Sequence, residues 1–228
     1  PVVLAGGGAD SSGLVRALRE ILDLDEGTGV VPDGATRLGA WGAALVADGA
    51  PRRLAELVRI AREAASRDAQ GSGAAGLESL GPHFRASERG AEVPELPPAG
   101  APLDAFVGID VGSVSTNVAL VDEQGTLLSG VYLSTRGQPV EVLSEGLETL
   151  RARMGDLVRV KAVGTTGSGR HLAAEVVGGD VVRNEITAQM VAAAAHVPDV
   201  DTIFEIGGQD SKFISVRDGK LADFEMNK

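Results

Sequence analysis

Residues 106–117 read FVGIDVGSVSTN and are the most informative stretch of the chain. The apolar run that ends at Asp110 predicts a buried strand, and a second strand follows the turn at Gly112 directly. Backbone N–H groups at such a tip can form a concave nest for phosphate oxygens, and Asp110 is free to hold a magnesium ion through water. The hydroxyl groups expected as further phosphate donors are those of Ser113, Ser115 and Thr116. An ordinary tight hairpin is the competing interpretation of this stretch taken alone.

A second turn between strands carries the same kinds of residue. Residues 204–212 read FEIGGQDSK, with acidic residues on both sides of the paired glycines Gly207 and Gly208. Two opposed glycine hairpins can hold the β and γ phosphates of ATP and its metal from both sides. We therefore predict a nucleotide site whose metal-binding residues are Asp110, Glu205 and Asp210. Lys212 is interpreted as a solvated lysine of the following strand, with a contact to phosphate as the alternative.

Composition narrows the classes of function. The net charge of −11 argues against nucleic acid or an anionic membrane as the main partner, because a phosphate polyanion requires a basic surface. Cysteine is absent from the 228 residues, which excludes thiolate-bound zinc or iron-sulfur clusters within them. Glycine is present 31 times, about double its usual share, and loops that hold phosphates are one use for it.

Four segments are predicted along the chain. Residues 1–49 have the pattern of a strand, a glycine turn and helices, and residues 50–103 that of one helix followed by a Gly/Pro-rich linker. Residues 104–200 begin with a three-stranded meander and continue with helices that start near Pro139 and Asn184. Residues 201–228 are the start of a second lobe. Trp41, among small residues, is interpreted as a packing anchor.

The two glycine turns resemble the first and second phosphate motifs of the actin, sugar kinase and heat-shock chaperone ATPase superfamily. Within it, four motifs in order resemble the ATPase activators of 2-hydroxyacyl-CoA dehydratases and benzoyl-CoA reductases, in the long tandem form described as CoA-substrate-specific enzyme activases. These motifs are GIDVGS at 108–113, VGTTGSGR at 163–170, NEITA at 184–188 and IGGQDSK at 206–212. The resemblance implies an α/β, actin-like (ribonuclease H-like) ATPase fold, here incomplete, with ATP and magnesium as cofactors.

Residues 1–49 resemble the adenosine-binding end of the same fold, which normally comes last. The nucleotide-binding glycines expected there are Gly6, Gly7 and Gly8. One explanation is a piece of a tandem protein, in which residues 1–49 end one ATPase unit and residues 104–228 begin the next. The alternative is a permuted single domain, in which residues 1–49 dock on the strands after Thr202 and rebuild the second lobe.

The resemblance also implies a mechanism. In such activators ATP hydrolysis opens and closes two lobes, and a homodimer passes a low-potential electron from an iron-sulfur cluster to an acyl-CoA dehydratase or reductase partner in the cytoplasm. The cluster ligands are cysteines, so the cluster is expected only in the parent protein. Glu185 and Gln209 are the candidate catalytic residues, which would orient the attacking water or the γ-phosphate. The alternatives are a sugar or acyl kinase of the same superfamily and a non-hydrolysing regulatory or scaffolding module.

Overall fold

The computed structural model describes residues 1–71 and 102–227. The strands are β1 (Val2–Ala5), β2 (Gly29–Val30), β3 (Leu103–Val111), β4 (Ser115–Asp122), β5 (Leu127–Ser134), β6 (Val158–Thr166), β7 (Val181–Val182), β8 (Thr202–Ile206), β9 (Ser211–Arg217) and β10 (Lys220–Met226). The α-helices are α1 (Ser12–Leu22), α2 (Leu38–Leu45), α3 (Leu54–Gly71), α4 (Pro139–Met154), α5 (Arg170–Val177) and α6 (Glu185–His196). The predicted linker lies almost entirely outside the described residues.

Two five-stranded sheets have the same internal order. The sheet of lobe I runs β5-β4-β3-β6-β7, and the sheet of lobe II runs β10-β9-β8-β1-β2. In both, three antiparallel strands form a meander, and two further strands are added in parallel beside its first strand. The predicted meander of lobe I is confirmed, and each lobe repeats its plan.

Lobe II is assembled from both ends of the chain. Its meander comes from residues 202–226, whereas its two parallel strands come from residues 2–30. The pairing of β1 with β8 runs from Val2 opposite Thr202 to Ala5 opposite Glu205. The N-terminal segment therefore docks on the strands after Thr202 in this structure.

Helix α2 connects lobe II to lobe I. Glycines allow its backbone to pack very close to the backbones of α6 and β3. A β-carbon built at Gly42 would lie 1.7 Å from the carbonyl oxygen of Ala188 on α6. One built at Gly108 on β3 would lie 1.7 Å from the carbonyl oxygen of Ala40. Both distances are far inside van der Waals contact, so any side chain at these positions would separate the elements.

Helix α3 belongs to the core of lobe I. Its apolar stripe is fully or almost fully buried against α4, α5 and β6, and it consists of Leu54, Leu57, Val58 and Ala61. Arg52, just before the helix, donates to Asp180 at 2.5 Å and so ties the start of α3 to the loop after α5. The helix that sequence periodicity predicted beside the linker is thus part of the folded lobe.

Trp41 is a packing anchor, as predicted. Its side chain is buried between the lobes, donates from Nε1 to the carbonyl oxygen of Gly125 at 2.8 Å and meets His196 edge to face. Asn184 caps α6, because its side chain accepts a hydrogen bond from the backbone N–H of Thr187. None of the helices within residues 1–71 and 102–227 has the length and apolarity needed to cross a membrane.

Candidate nucleotide site

Parallel pairing gathers the glycine loops at one edge of each sheet. Strands β8 and β1 run in parallel, so the turn after Ile206 and the loop Gly6–Gly8 leave the sheet of lobe II side by side. Gly6 has a φ of +79°, and a β-carbon there would lie 2.6 Å from the carbonyl oxygen of Ile206. In lobe I the same arrangement brings the turn after Val111 beside the loop that contains Gly167.

The two predicted phosphate turns have the same backbone closure and touch each other. Gly112 N–H donates to the carbonyl oxygen of Ser115, and Gly207 N–H donates to that of Asp210, at 2.8 and 2.9 Å. Across the gap between the lobes, the hydroxyl group of Ser113 donates to the side-chain oxygen of Gln209. The structure therefore brings the two turns together, tip against tip.

Asp110 is the second-last residue of strand β3, and two glycines make room for its carboxylate. A β-carbon at Gly39 or at Gly167 would lie 2.3 or 2.4 Å from one of its carboxylate oxygens. Burial, together with the negative charges of Glu205 and Glu185, raises the pKa of Asp110 to about 7, and only Lys212 opposes this. Of these two acidic residues, Glu205 belongs to lobe II and Glu185 to lobe I.

Lys212 is buried, which corrects its interpretation as a solvated lysine. It lies directly opposite Glu205 in the pairing of β8 with β9, and its exposed fraction is 6%. Its ammonium group donates to Glu205 at 2.9 Å and to Asp210 at 2.8 Å. Burial is the main cause of the raised pKa of Glu205, although Lys212 acts in the opposite direction.

The two candidate catalytic residues lie in different surroundings. Glu185 is the first residue of α6, half-buried, with Arg170 at 3.8 Å from its carboxylate. Gln209 is exposed at the tip of the second turn, where it accepts the hydrogen bond from Ser113. The negative charge of Glu185 also contributes to the raised pKa of Asp110.

Thr116 supports the first turn from beneath. It is fully buried, and its hydroxyl group lies 3.0 Å from that of Thr135, which donates to the carbonyl oxygen of Gly112 at 2.7 Å. Ser113 is exposed at the tip, and Ser115 is partly exposed. The three hydroxyl groups predicted to act alike therefore occupy distinct positions, and only that of Ser113 reaches the other lobe.

Among the residues that the structure describes, acidic groups outnumber basic ones in this space. The acidic groups are Asp110, Glu185, Glu205 and Asp210, and the basic ones are Lys212 and Arg170. Within residues 1–71 and 102–227, no cluster of three or more His, Asp or Glu side chains has the arrangement of a metal site.

Sequence reasoning missed three contributors to the site. Gly39 and Gly167 make room for Asp110, and Lys212 neutralises the second turn. The glycines lie far from Asp110 along the chain, so no local signal connects them. For Lys212, its alternation with the buried Ile214 and Val216 along β9 is a signal that points to the inner face.

Two similar lobes, each with a glycine turn directed at the other across an acidic space, define an actin-like ATPase fold, and the α/β class predicted from the sequence is confirmed. The comparison with protein families then places the chain within this class. Residues 107–228 match the model of the BadF/BadG/BcrA/BcrD ATPase family, and the chain belongs to that family.

Curated relatives match about half of the chain. The (R)-2-hydroxyglutaryl-CoA dehydratase activating ATPase of Acidaminococcus fermentans is 30% identical over 125 residues, which are 53% of this chain and 46% of the relative. The uncharacterized protein YjiL of Escherichia coli is 34% identical over 122 residues, 53% of this chain and 45% of that protein. The chain thus spans about half the length of these relatives.

Solved structures of related proteins were also found. The activator of the 2-hydroxyisocaproyl-CoA dehydratase from Clostridium difficile, with bound ADPNP, is 28% identical with a TM-score of 0.47, over 54% of this chain and 45% of that one. Component A of the Acidaminococcus fermentans (R)-2-hydroxyglutaryl-CoA dehydratase is 27% identical with a TM-score of 0.45, over 53% and 46%.

Proposed function

We propose that the chain binds ATP between its two glycine turns and is the ATPase part of an activator that drives low-potential electron transfer to a 2-hydroxyacyl-CoA dehydratase-type enzyme. The observation that carries the proposal is the meeting of Ser113 and Gln209, which joins the two family motifs across one space. The family and the dehydratase-activating relative supply the partner class. A cytoplasmic homodimer of the whole protein is part of the proposal.

The residues at the two turns would bind phosphate, contact adenosine or orient water. Ser113 and the backbone of both turns would hold the β and γ phosphates, and the Gly6–Gly8 loop would lie against the adenosine side. Glu185 or Gln209 would orient the attacking water, since both lie at the acidic space between the lobes. Ser115 would support phosphate binding, and Thr116 would hold the turn from below through Thr135.

The residues present fit magnesium but not an iron-sulfur cluster. Asp110, with two glycines around its carboxylate and excess negative charge nearby, would hold a magnesium ion through water. That ion would neutralise the phosphate charge. Cysteine is absent from the sequence, so the cluster has no thiolate ligands here and enters no step derived for this chain.

We further propose that residues 1–49 act in the same nucleotide site as residues 104–228. The support is the pairing of β1 with β8 and the contact of the Gly6–Gly8 loop with Ile206 beside the second turn. This is the permuted arrangement, and it makes the nucleotide site a product of both segments. The same contacts would arise between neighbouring units of a tandem protein.

Calorimetric titration of the chain with MgATP tests the proposal. We expect micromolar binding for the unaltered chain and at least tenfold weaker binding for Asp110→Asn, because one charge-assisted contact to the hydrated metal is lost. Asp104→Asn is the matched control, since Asp104 lies on the same strand and pairs instead with Arg159 and Lys161. Its affinity should equal that of the unaltered chain.

Phosphate release measured on the same samples separates binding from turnover. Gln209→Ala and Glu185→Gln should both retain MgATP binding. The variant that replaces the water-orienting residue should lose hydrolysis. A folded chain that binds no MgATP would refute the proposal. Binding without any phosphate release by the unaltered chain would favour the non-hydrolysing module instead.

A further inference from the structure

Lys212 is an unusual residue for the place where it lies. Strand lysines normally direct their ammonium groups to water, yet this one has an exposed fraction of 6%. A buried charge is tolerated only where partners compensate it. Glu205 and Asp210 do so, at 2.9 and 2.8 Å from the same ammonium nitrogen.

The three charged groups form one unit with the second glycine turn. Glu205 precedes the turn, Asp210 closes it by accepting from the N–H of Gly207, and Lys212 follows it. The other oxygen of Glu205 lies beside Gly6, where a β-carbon would approach it to 2.8 Å. Lys212 thus links the turn and, through Glu205, the neighbouring glycine loop.

This arrangement disagrees with Glu205 and Asp210 as direct metal ligands. A divalent cation bound to both carboxylates would occupy the position of the lysine ammonium group, and two cations cannot share it. The side chain of Glu205 is 9% exposed, and its Oε2 atom already accepts from Lys212. Asp110 has no such lysine partner among its hydrogen bonds in the described residues and is left as the carboxylate for a hydrated metal.

We propose that Lys212 is a positioning residue: it serves as the built-in cation of the second glycine turn, holds Glu205 and Asp210, and excludes divalent metal from them, so that metal enters only with nucleotide phosphates opposite Asp110. The inference rests on the proposed nucleotide site for its last clause. Its first clauses concern the nucleotide-free protein alone. Although burial alone would lower it, the hydrogen bonds to Asp210 and Glu205 hold the pKa of Lys212 above its usual value, so the ammonium group keeps its charge.

Binding of Mn²⁺ to the nucleotide-free chain, measured from the electron paramagnetic resonance signal of the free ion, tests the inference. We expect Lys212→Met to bind Mn²⁺ about tenfold or more tightly than the unaltered chain, because two adjacent carboxylates lose their counter-charge. The double variant Glu205→Gln with Lys212→Met should lose that gain. A purely structural role for Lys212 would not produce a new metal site.

Lys161→Met is the matched control. Lys161 also pairs with a carboxylate, that of Asp104 at 3.3 Å, but on the exposed side of lobe I. Its removal should leave Mn²⁺ binding unchanged.

A thermal measurement keeps the inference testable if Lys212→Met is unstable. Millimolar Mn²⁺ should raise the melting temperature of Lys212→Met and should not raise that of the double variant, since metal replaces the missing cation only where both carboxylates remain. If Mn²⁺ neither binds nor stabilises Lys212→Met, the inference is wrong. It is also wrong if Mn²⁺ binds tightly to the nucleotide-free unaltered chain and broadens the amide signals of Phe204 and Phe213.

All these measurements are made without nucleotide. Failure of the chain to bind MgATP would therefore refute the proposed function and leave the role of Lys212 to be decided by Mn²⁺. Conversely, MgATP binding combined with an unchanged Mn²⁺ affinity of Lys212→Met would retain the proposed function and reject the role of Lys212.

Discussion

Replacing Asp110 by asparagine should stabilise the protein, and increasingly so as the pH rises. Burial raises the pKa of Asp110 to about 7 from its ordinary value of 3.8. Between these pH values the folded protein keeps a proton that the unfolded chain has released, so stability falls as the pH rises. At 1.36 kcal/mol for each pH unit, the cost reaches about 4 kcal/mol above pH 7 as an upper limit.

Asparagine has nearly the same shape and does not titrate. Relative to the unaltered chain, its advantage in the free energy of unfolding should therefore grow by about 3 kcal/mol from pH 5 to pH 8. Urea unfolding at both pH values, in the absence of nucleotide and metal, measures this difference.

Asp104→Asn is the control for the same strand. Partial burial raises the pKa of Asp104, but its hydrogen bonds and charge pairs with Arg159 and Lys161 outweigh this and hold the pKa below the ordinary value. Its stabilising effect is therefore complete above about pH 5, and the variant should lose the same stability at pH 5 and pH 8. The reasoning about Asp110 is refuted if Asp110→Asn destabilises the protein equally at both pH values.

Two further predictions concern packing between the lobes. Gly42→Ala should lower the free energy of unfolding by about 3 kcal/mol or more, because its β-carbon would lie 1.7 Å from the carbonyl oxygen of Ala188. Gly13→Ala is the control and should cost nothing, because open space surrounds Gly13 on α1. Urea unfolding compares the two variants. Trp41→Phe should lower the free energy of unfolding by about 2 kcal/mol, since the carbonyl oxygen of Gly125 loses its donor and some apolar contact is lost. An unchanged denaturation midpoint would contradict this.

Local pattern predicted much of lobe I. The apolar run that ends at Asp110 and the turn at Gly112 are short-range signals, and strands β3 to β5 follow them. Helix α6 begins after Asn184 because of a capping preference that acts within one turn. The order of four motifs predicted the family, since each motif is recognisable from adjacent residues.

Contacts between distant residues could not be predicted in the same way. Whether β1 pairs with β8 or with a neighbouring ATPase unit depends on tertiary contacts, and both arrangements satisfy the same local pattern. The space around Asp110 depends on Gly39 and Gly167, which come from other elements. Lysine usually lies in solvent, but Lys212 follows the alternation of its strand and is buried with Ile214 and Val216.

The construction of lobe II from both chain ends has a consequence for biosynthesis. In lobe I, Val107 pairs with Val163, which lies 56 residues later in the chain. In lobe II, Val2 pairs with Thr202, which lies about 200 residues later. The extra loop-closure entropy is only about 1 kcal/mol, so the equilibrium is scarcely affected. The order of events is affected, because a ribosome completes all strands of lobe I while β1 still presents an unpaired edge. We expect nucleotide binding to appear only after residues 202–226 have been synthesised and have paired with β1.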